Sequence, residues 1–178
     1  MSLDSGVYAE CQLEASDRFV QEMLRKSEES GESGEVVLVV PSPDGRILLH
    51  TKSFYPNGAY RLPTGKLHKG ESPQDAFYRE FREELGQEGE IERKLGALRC
   101  IIFSGNKSVD FTSHIYLAKE TSEEPYPEDQ EEQITGFITV KPDELGQAAE
   151  NLRNLPGKWQ DWGRFRALVH EFVAKMMA

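Results

Sequence analysis

Between Gly65 and Gly86 the chain reads GKLHKGESPQDAFYREFREELG, with Glu80, Glu83 and Glu84 at i, i+3 and i+4. At about 100° per residue this spacing gathers three carboxylates on one side of a helix. Like charges so placed cost a helix about a few tenths of a kcal/mol per pair, so the arrangement calls for a cation. Magnesium suits it, with manganese as a substitute. Such ions take hard oxygen ligands, keep several waters and share their shell with substrate phosphates. Calcium asks for more ligands and zinc for His or Cys. The histidines, His50, His68, His114 and His170, are scattered, and no cysteine pair stands at metal spacing.

The helix has its own start and stop. Ser72 is placed to cap it, Pro73 to open it and Asp75 to complete a capping-box-like pattern, while Gly86 supplies the left-handed exit. Phe77, Phe81 and Leu85 recur every fourth residue and predict a buried stripe beside the carboxylates, with Glu84 nearest the apolar edge. Arg79 stands four residues before Glu83, as an ion-pair partner would, and Glu71 precedes the helix where its positive end favours an acid.

Read as a whole, Gly65, Glu71, Arg79-Glu80, Glu83-Glu84 and Gly86 have the spacing of the Nudix signature, and the stretch resembles that of the Nudix hydrolases. Seven fixed positions, each with a background frequency of roughly one in fifteen, coincide by chance about once in 10⁸ starting points. The resemblance implies that the Gly65 carbonyl joins the metal shell, that Arg79 holds Glu80 in position, and that Glu71 supports the loop or the outer shell. It also implies one further acidic ligand just ahead of a late strand. Glu131 and Glu132 are the candidates, and alternation along an extended segment lets only one face the site. We take Glu131. Two positions depart from the pattern, Phe81 and Gln87 standing where aliphatic residues are usual, and Thr64 replaces a common glycine.

The implied activity is magnesium-dependent hydrolysis of a nucleoside diphosphate linked to another group, by water attack at phosphorus. Glu83 and Glu84 are the principal ligands and Glu80 is a ligand or the base, with Glu80, Glu83 and Arg79 as the catalytic set. Arg61 and Lys66 flank the glycine loop as candidates for binding substrate phosphates, and Phe54, Tyr55 and Tyr60 precede it, where an aromatic could stack on a base. Markers of the ADP-ribose and dinucleoside-polyphosphate subgroups are absent where Ile102, Phe103 and Ser104 stand, so nucleotide sugars, ADP-ribose-like compounds and nucleoside triphosphates all stay open. The rival reading is a Nudix-like nucleotide sensor without turnover. A prenyl diphosphate isomerase would need cysteine chemistry that nothing around Cys100 supplies.

The elements around this centre predict an α+β protein, an α/β/α sandwich with a mixed sheet between helices and extra helices at both ends. Strands are expected at 35–40, 47–49, 91–103, 111–117 and 134–140, the first two as a hairpin closed by the Pro-Asp-Gly turn. Residues 13–26 and 159–177 have helical periodicity, and 27–34 (SEESGESG) reads as a flexible hinge. That divides the chain into an N-terminal extension, 1–34, and a catalytic domain, 35–178. The 178 residues fit one core, and a formal charge of −10 argues against nucleic acid and anionic membranes as partners. Cys11 and Cys100 suggest no disulfide framework, and no transmembrane run or signal peptide is present, so a cytoplasmic protein with a small-molecule substrate is expected. A homodimer is compatible with the sequence.

Overall fold

The computed structural model describes residues 6–178. A five-stranded mixed sheet forms its centre, built from β1 (Val7–Glu14), β5 (Ile91–Ser104), β6 (Lys107–Ala118), β2 (Gly34–Val39) and β4 (Thr64–Lys66) in that spatial order. β1 runs parallel to β5 and β2 parallel to β6, while β5–β6 and β2–β4 are antiparallel. β3 (Ile47–Lys52) and β7 (Ile134–Val140) form a separate antiparallel pair. The helices are α1 (Asp17–Ser30), α2 (Pro73–Leu85), α3 (Leu145–Arg153) and α4 (Gln160–Met177). None among the described residues is long and apolar enough to cross a membrane.

β2 shows why the sheet must be covered on both sides. All six of its residues are buried, and alternation sends Val36 and Leu38 to one core and Val37 and Val39 to the other. Val36, Leu38, Phe77, Phe81 and Leu85 form the core under α2. On the opposite face Val169, Phe172 and Val173 of α4 meet Val37, Val39, Leu98 and Ile115, and Val20 of α1 packs with Cys100, Ile102 and Phe111. Helix, sheet and helices thus form the expected sandwich.

Several sequence expectations give way here. Leu13 lies in β1, not in the first helix, because Val7, Ala9, Cys11 and Leu13 alternate with polar residues and add a strand beside β5. In that register Cys11 faces Cys100, both as free thiols. The stretch expected as a hinge is the last turn of α1, closed by Gly31 at φ 80°, followed directly by β2. β2 and β3 share only the foot of a hairpin, a Pro41–Ile47 bridge, since β4 and β6 occupy both edges of β2. Phe81 fits because Gly89 leaves space: a Cβ there would stand 2.5 Å from the ring.

Phe81→Ala should therefore cost about 3–5 kcal/mol, read from urea unfolding midpoints. A loss under about 1 kcal/mol would mean that the ring does not anchor α2 to the sheet.

Candidate active site

α2 begins and ends where its caps place it. Ser72 Oγ accepts from Asp75 N at 3.1 Å, and Gly86 takes φ 66°. Its buried face carries Glu80 and Glu84 alongside Phe77, Phe81 and Leu85, while Glu83 is half-buried. β4 brings Gly65 against this face. A Cβ on Gly65 would lie 1.8 Å from Glu80 Cδ, so only glycine lets the strand and the carboxylate approach so closely.

Arg79 ties the pieces together. Its Nε and Nη2 donate to the two oxygens of Glu71, each at 2.8 Å. Nη1 donates to Glu80 Oε1 at 2.5 Å and to Glu83 Oε2 at 3.2 Å, and Nη2 also reaches the Lys66 carbonyl at 2.9 Å. A guanidinium has five N–H donors, and all are engaged. Arg79 therefore positions the acids and has no donor left for a substrate. Glu71 in turn accepts from His68 N at 3.1 Å, which fixes the glycine-bearing loop to the helix.

Glu80, Glu83 and Glu132 each offer an oxygen within 4.8 Å of the others. The acid contributed by the loop is thus Glu132, whereas Glu131 is exposed and outside the cluster. A single 3₁₀ turn over Gln130–Glu132 breaks the alternation on which the choice of Glu131 rested. The loop is docked on the end of α2: Tyr126 N donates to Leu85 O, and Glu128 N and Asp129 N to Glu83 O, at 2.9, 3.1 and 3.2 Å. These bonds satisfy carbonyls that a helix terminus leaves open. Gln87 also serves the loop, being buried and bonded to Glu123 O and Thr121 Oγ1 at 3.1 Å each. Lys52 Nζ meets Glu132 at 2.6 Å, a partner with no sequence signal beyond its charge.

Glu84 is fully buried, and neither carboxylate oxygen has a hydrogen-bond partner. Burial, and then the Glu80 charge, push its carboxyl well above the usual range. Burial likewise raises Glu80 to about 7, against the opposing pull of Arg79. A buried, unpaired carboxylate beside three converging acids is the donor set a hard divalent cation needs, so Glu80, Glu83, Glu84 and Glu132 fit such an ion.

A cleft of about 650 Å³ opens from this cluster. Arg61, Lys66, Phe54, Tyr55, Trp159 and Trp162 line it. Tyr60 does not: it packs beside Gly58, Ile138 and Val140 in a separate cavity. Phe54 stacks on Trp159 at 6.4 Å and 23°, and the Trp159 half of this aromatic wall joins it from far along the chain. Thr64, in place of the usual glycine, accepts from Arg61 Nη1 at 2.7 Å.

A family model, the NUDIX domain, matches residues 33–162. Solved structures of similar fold include the MutT protein from Methanosarcina mazei Go1, 16% identical with a TM-score of 0.54 over 80% of this chain and 91% of that one. The E. coli dihydroneopterin triphosphate pyrophosphohydrolase is 17% identical, with a TM-score of 0.51 over 81% and 97%. The E. coli ORF135 protein is 21% identical, with a TM-score of 0.51 over 64% and 76%. At these identities the likeness is one of fold. No curated protein sequence matches significantly.

A carboxyl raised in the folded state contributes stability below its ordinary pKa of 4.5, and that contribution is lost as pH rises through the folded value, about 7 for Glu80 and well above the ordinary range for Glu84. In EDTA, Glu84→Gln should therefore raise the melting temperature at pH 8, by about 2–4 °C for each kcal/mol relieved, and leave it little changed at pH 4.5. Stabilisation by added Mg²⁺ at pH 8 should shrink in the variant. A metal-free variant that melts at or below wild type at pH 8 would rule out a strained carboxylate at this position.

Proposed function

The chain belongs to the Nudix hydrolases, and from that premise we propose a magnesium-dependent pyrophosphohydrolase that cleaves a nucleoside diphosphate linked to another moiety. The observation that carries this reading is the convergence of Glu80, Glu83 and Glu132 beside the unpartnered Glu84, at the mouth of a cleft large enough for a nucleotide.

In the proposed reaction a water oxygen bonds to phosphorus, the P–O bond to the bridging oxygen breaks, and that oxygen leaves with the other half of the substrate. A divalent ion held by Glu80, Glu83, Glu84 and Glu132, with the Gly65 carbonyl, would neutralise phosphate charge and lower the pKa of a bound water. Glu80 accepts from Arg79 through Oε1 only, which leaves Oε2 as a ligand atom or as the acceptor of the water's proton. Arg79 and Glu71 keep these carboxylates in register with the loop. Lys66 lines the cleft as a cation for the diphosphate, and the Phe54–Trp159 wall offers a face for a planar ring.

A panel of nucleotide sugars, ADP-ribose, dinucleotides and nucleoside triphosphates, assayed for phosphate or nucleotide release with Mg²⁺ and with EDTA, tests this directly. At least one compound should turn over only with the metal, and Glu83→Gln should lower kcat by at least about a hundredfold without unfolding the chain. Absence of turnover across the panel would favour a nucleotide sensor. Near-wild-type rates in the variant would sink the proposed metal site.

A further inference from the structure

The cleft that begins at the acidic cluster carries charge of the opposite sign on another part of its wall. Lys26 of α1, Arg61, Lys66 of β4 and Arg166 of α4 all line it, on a chain whose formal charge is −10. Arg166 Nη1 donates to both oxygens of the buried Glu35 at 2.8 Å, and Glu35 also accepts from Ser113 Oγ at 2.8 Å. Arg166 Nε is buried without a partner, and Nη2 has no acceptor among the described residues.

Arg61 is buried, yet its hydrogen bonds go only to neutral acceptors, Tyr55 Oη, Leu62 O and Thr64 Oγ1, at 2.8, 3.1 and 2.7 Å. Lys26 has Glu22 at 3.6 Å, but Glu22 is already held by Arg25 at 2.7 Å. Lys66 enters no ion pair among the described residues. Burial, and then the neighbouring Lys66, push the Lys26 ammonium below its usual range, with Arg166 adding to the effect. Besides the paired Glu35 and Glu22, exposed Glu32 lines this side, and buried Glu84 and Glu35 both act electrostatically on Arg61.

Cations crowded together with too few acids are costly to hold in a partly dry cleft, and an anion offsets that cost. Guanidinium groups with free N–H donors suit phosphate oxygens in particular. We propose that Arg166, Lys26 and Arg61 form an anion subsite for a phosphate group on the moiety attached to the diphosphate, so that the substrate carries a phosphate beyond the two of the diphosphate. The identity of the ligand as substrate rests on the hydrolase reading, whereas anion binding does not. Lys26 and Arg166 both lie outside residues 33–162, so the subsite recruits segments that flank the matched domain.

Two measurements test this. Inorganic phosphate is titrated calorimetrically into EDTA-treated wild type, Lys26→Gln and Arg166→Lys, the last of which keeps a charge beside Glu35 while losing the fork. Specificity constants with Mg²⁺ are then compared for NADPH against NADH and coenzyme A against dephospho-coenzyme A, pairs that differ by one ribose phosphate. Phosphate should bind the wild type and bind each variant about tenfold more weakly, and the wild-type preference for the phosphorylated partner should shrink about tenfold in the variants. Absent phosphate binding, equal binding by the variants, or an unaltered preference would overturn the subsite. Phosphate binding that weakens in the variants, without turnover of any diphosphate, would retain the subsite and remove the hydrolase reading.

Discussion

One guanidinium has five N–H donors in a fixed plane, and in Arg79 every one of them is committed to Glu71, Glu80, Glu83 or the Lys66 carbonyl. Those acceptors come from the glycine-bearing loop, the edge strand and α2, so the side chain sets the spacing of three segments at once. The acids of α2 would otherwise repel one another, and the edge strand has only three residues with which to hold its place. Charge-assisted bonds of fixed geometry do both tasks. Gly65 completes the arrangement by removing the one atom that would keep the strand from Glu80.

What could be read in advance was what is encoded locally. α2 was legible because its caps, its apolar stripe and its acids all lie within one short segment, and the structure buries Phe77, Phe81, Leu85 and Glu84 as that pattern implies. β1 is also legible in principle, since Val7, Ala9, Cys11 and Leu13 alternate, but Leu13 fits the helical pattern that follows equally well. Glu132 could not be separated from Glu131 because a 3₁₀ turn, set by docking of the loop on α2, decides which acid faces inward. Lys52, Trp159, Trp162 and Arg166 reach the cleft only through the fold. Their sequence neighbourhoods contain nothing to mark them.

The segments around the matched domain have a common effect. α1 and the start of α4 both line the cleft next to the acidic cluster, so segments outside the matched domain contribute to its wall. In the proposed reaction the acids and the glycine loop address what any diphosphate has in common, and the walls address what distinguishes one from another. Buried Glu35 fits this division. It fastens the sheet to α4 through Arg166 while lining the same cleft, joining a packing contact to a polar surface.

Gly86 is constrained twice. Its φ of 66° closes α2, and a Cβ would lie 1.9 Å from the carbonyl of Tyr126, a residue well beyond the signature. The terminal glycine of the motif thus carries information about a segment that the motif does not include. A side chain at this one position would push away the loop that delivers Glu132, so in this chain the end of a linear pattern guards a three-dimensional site.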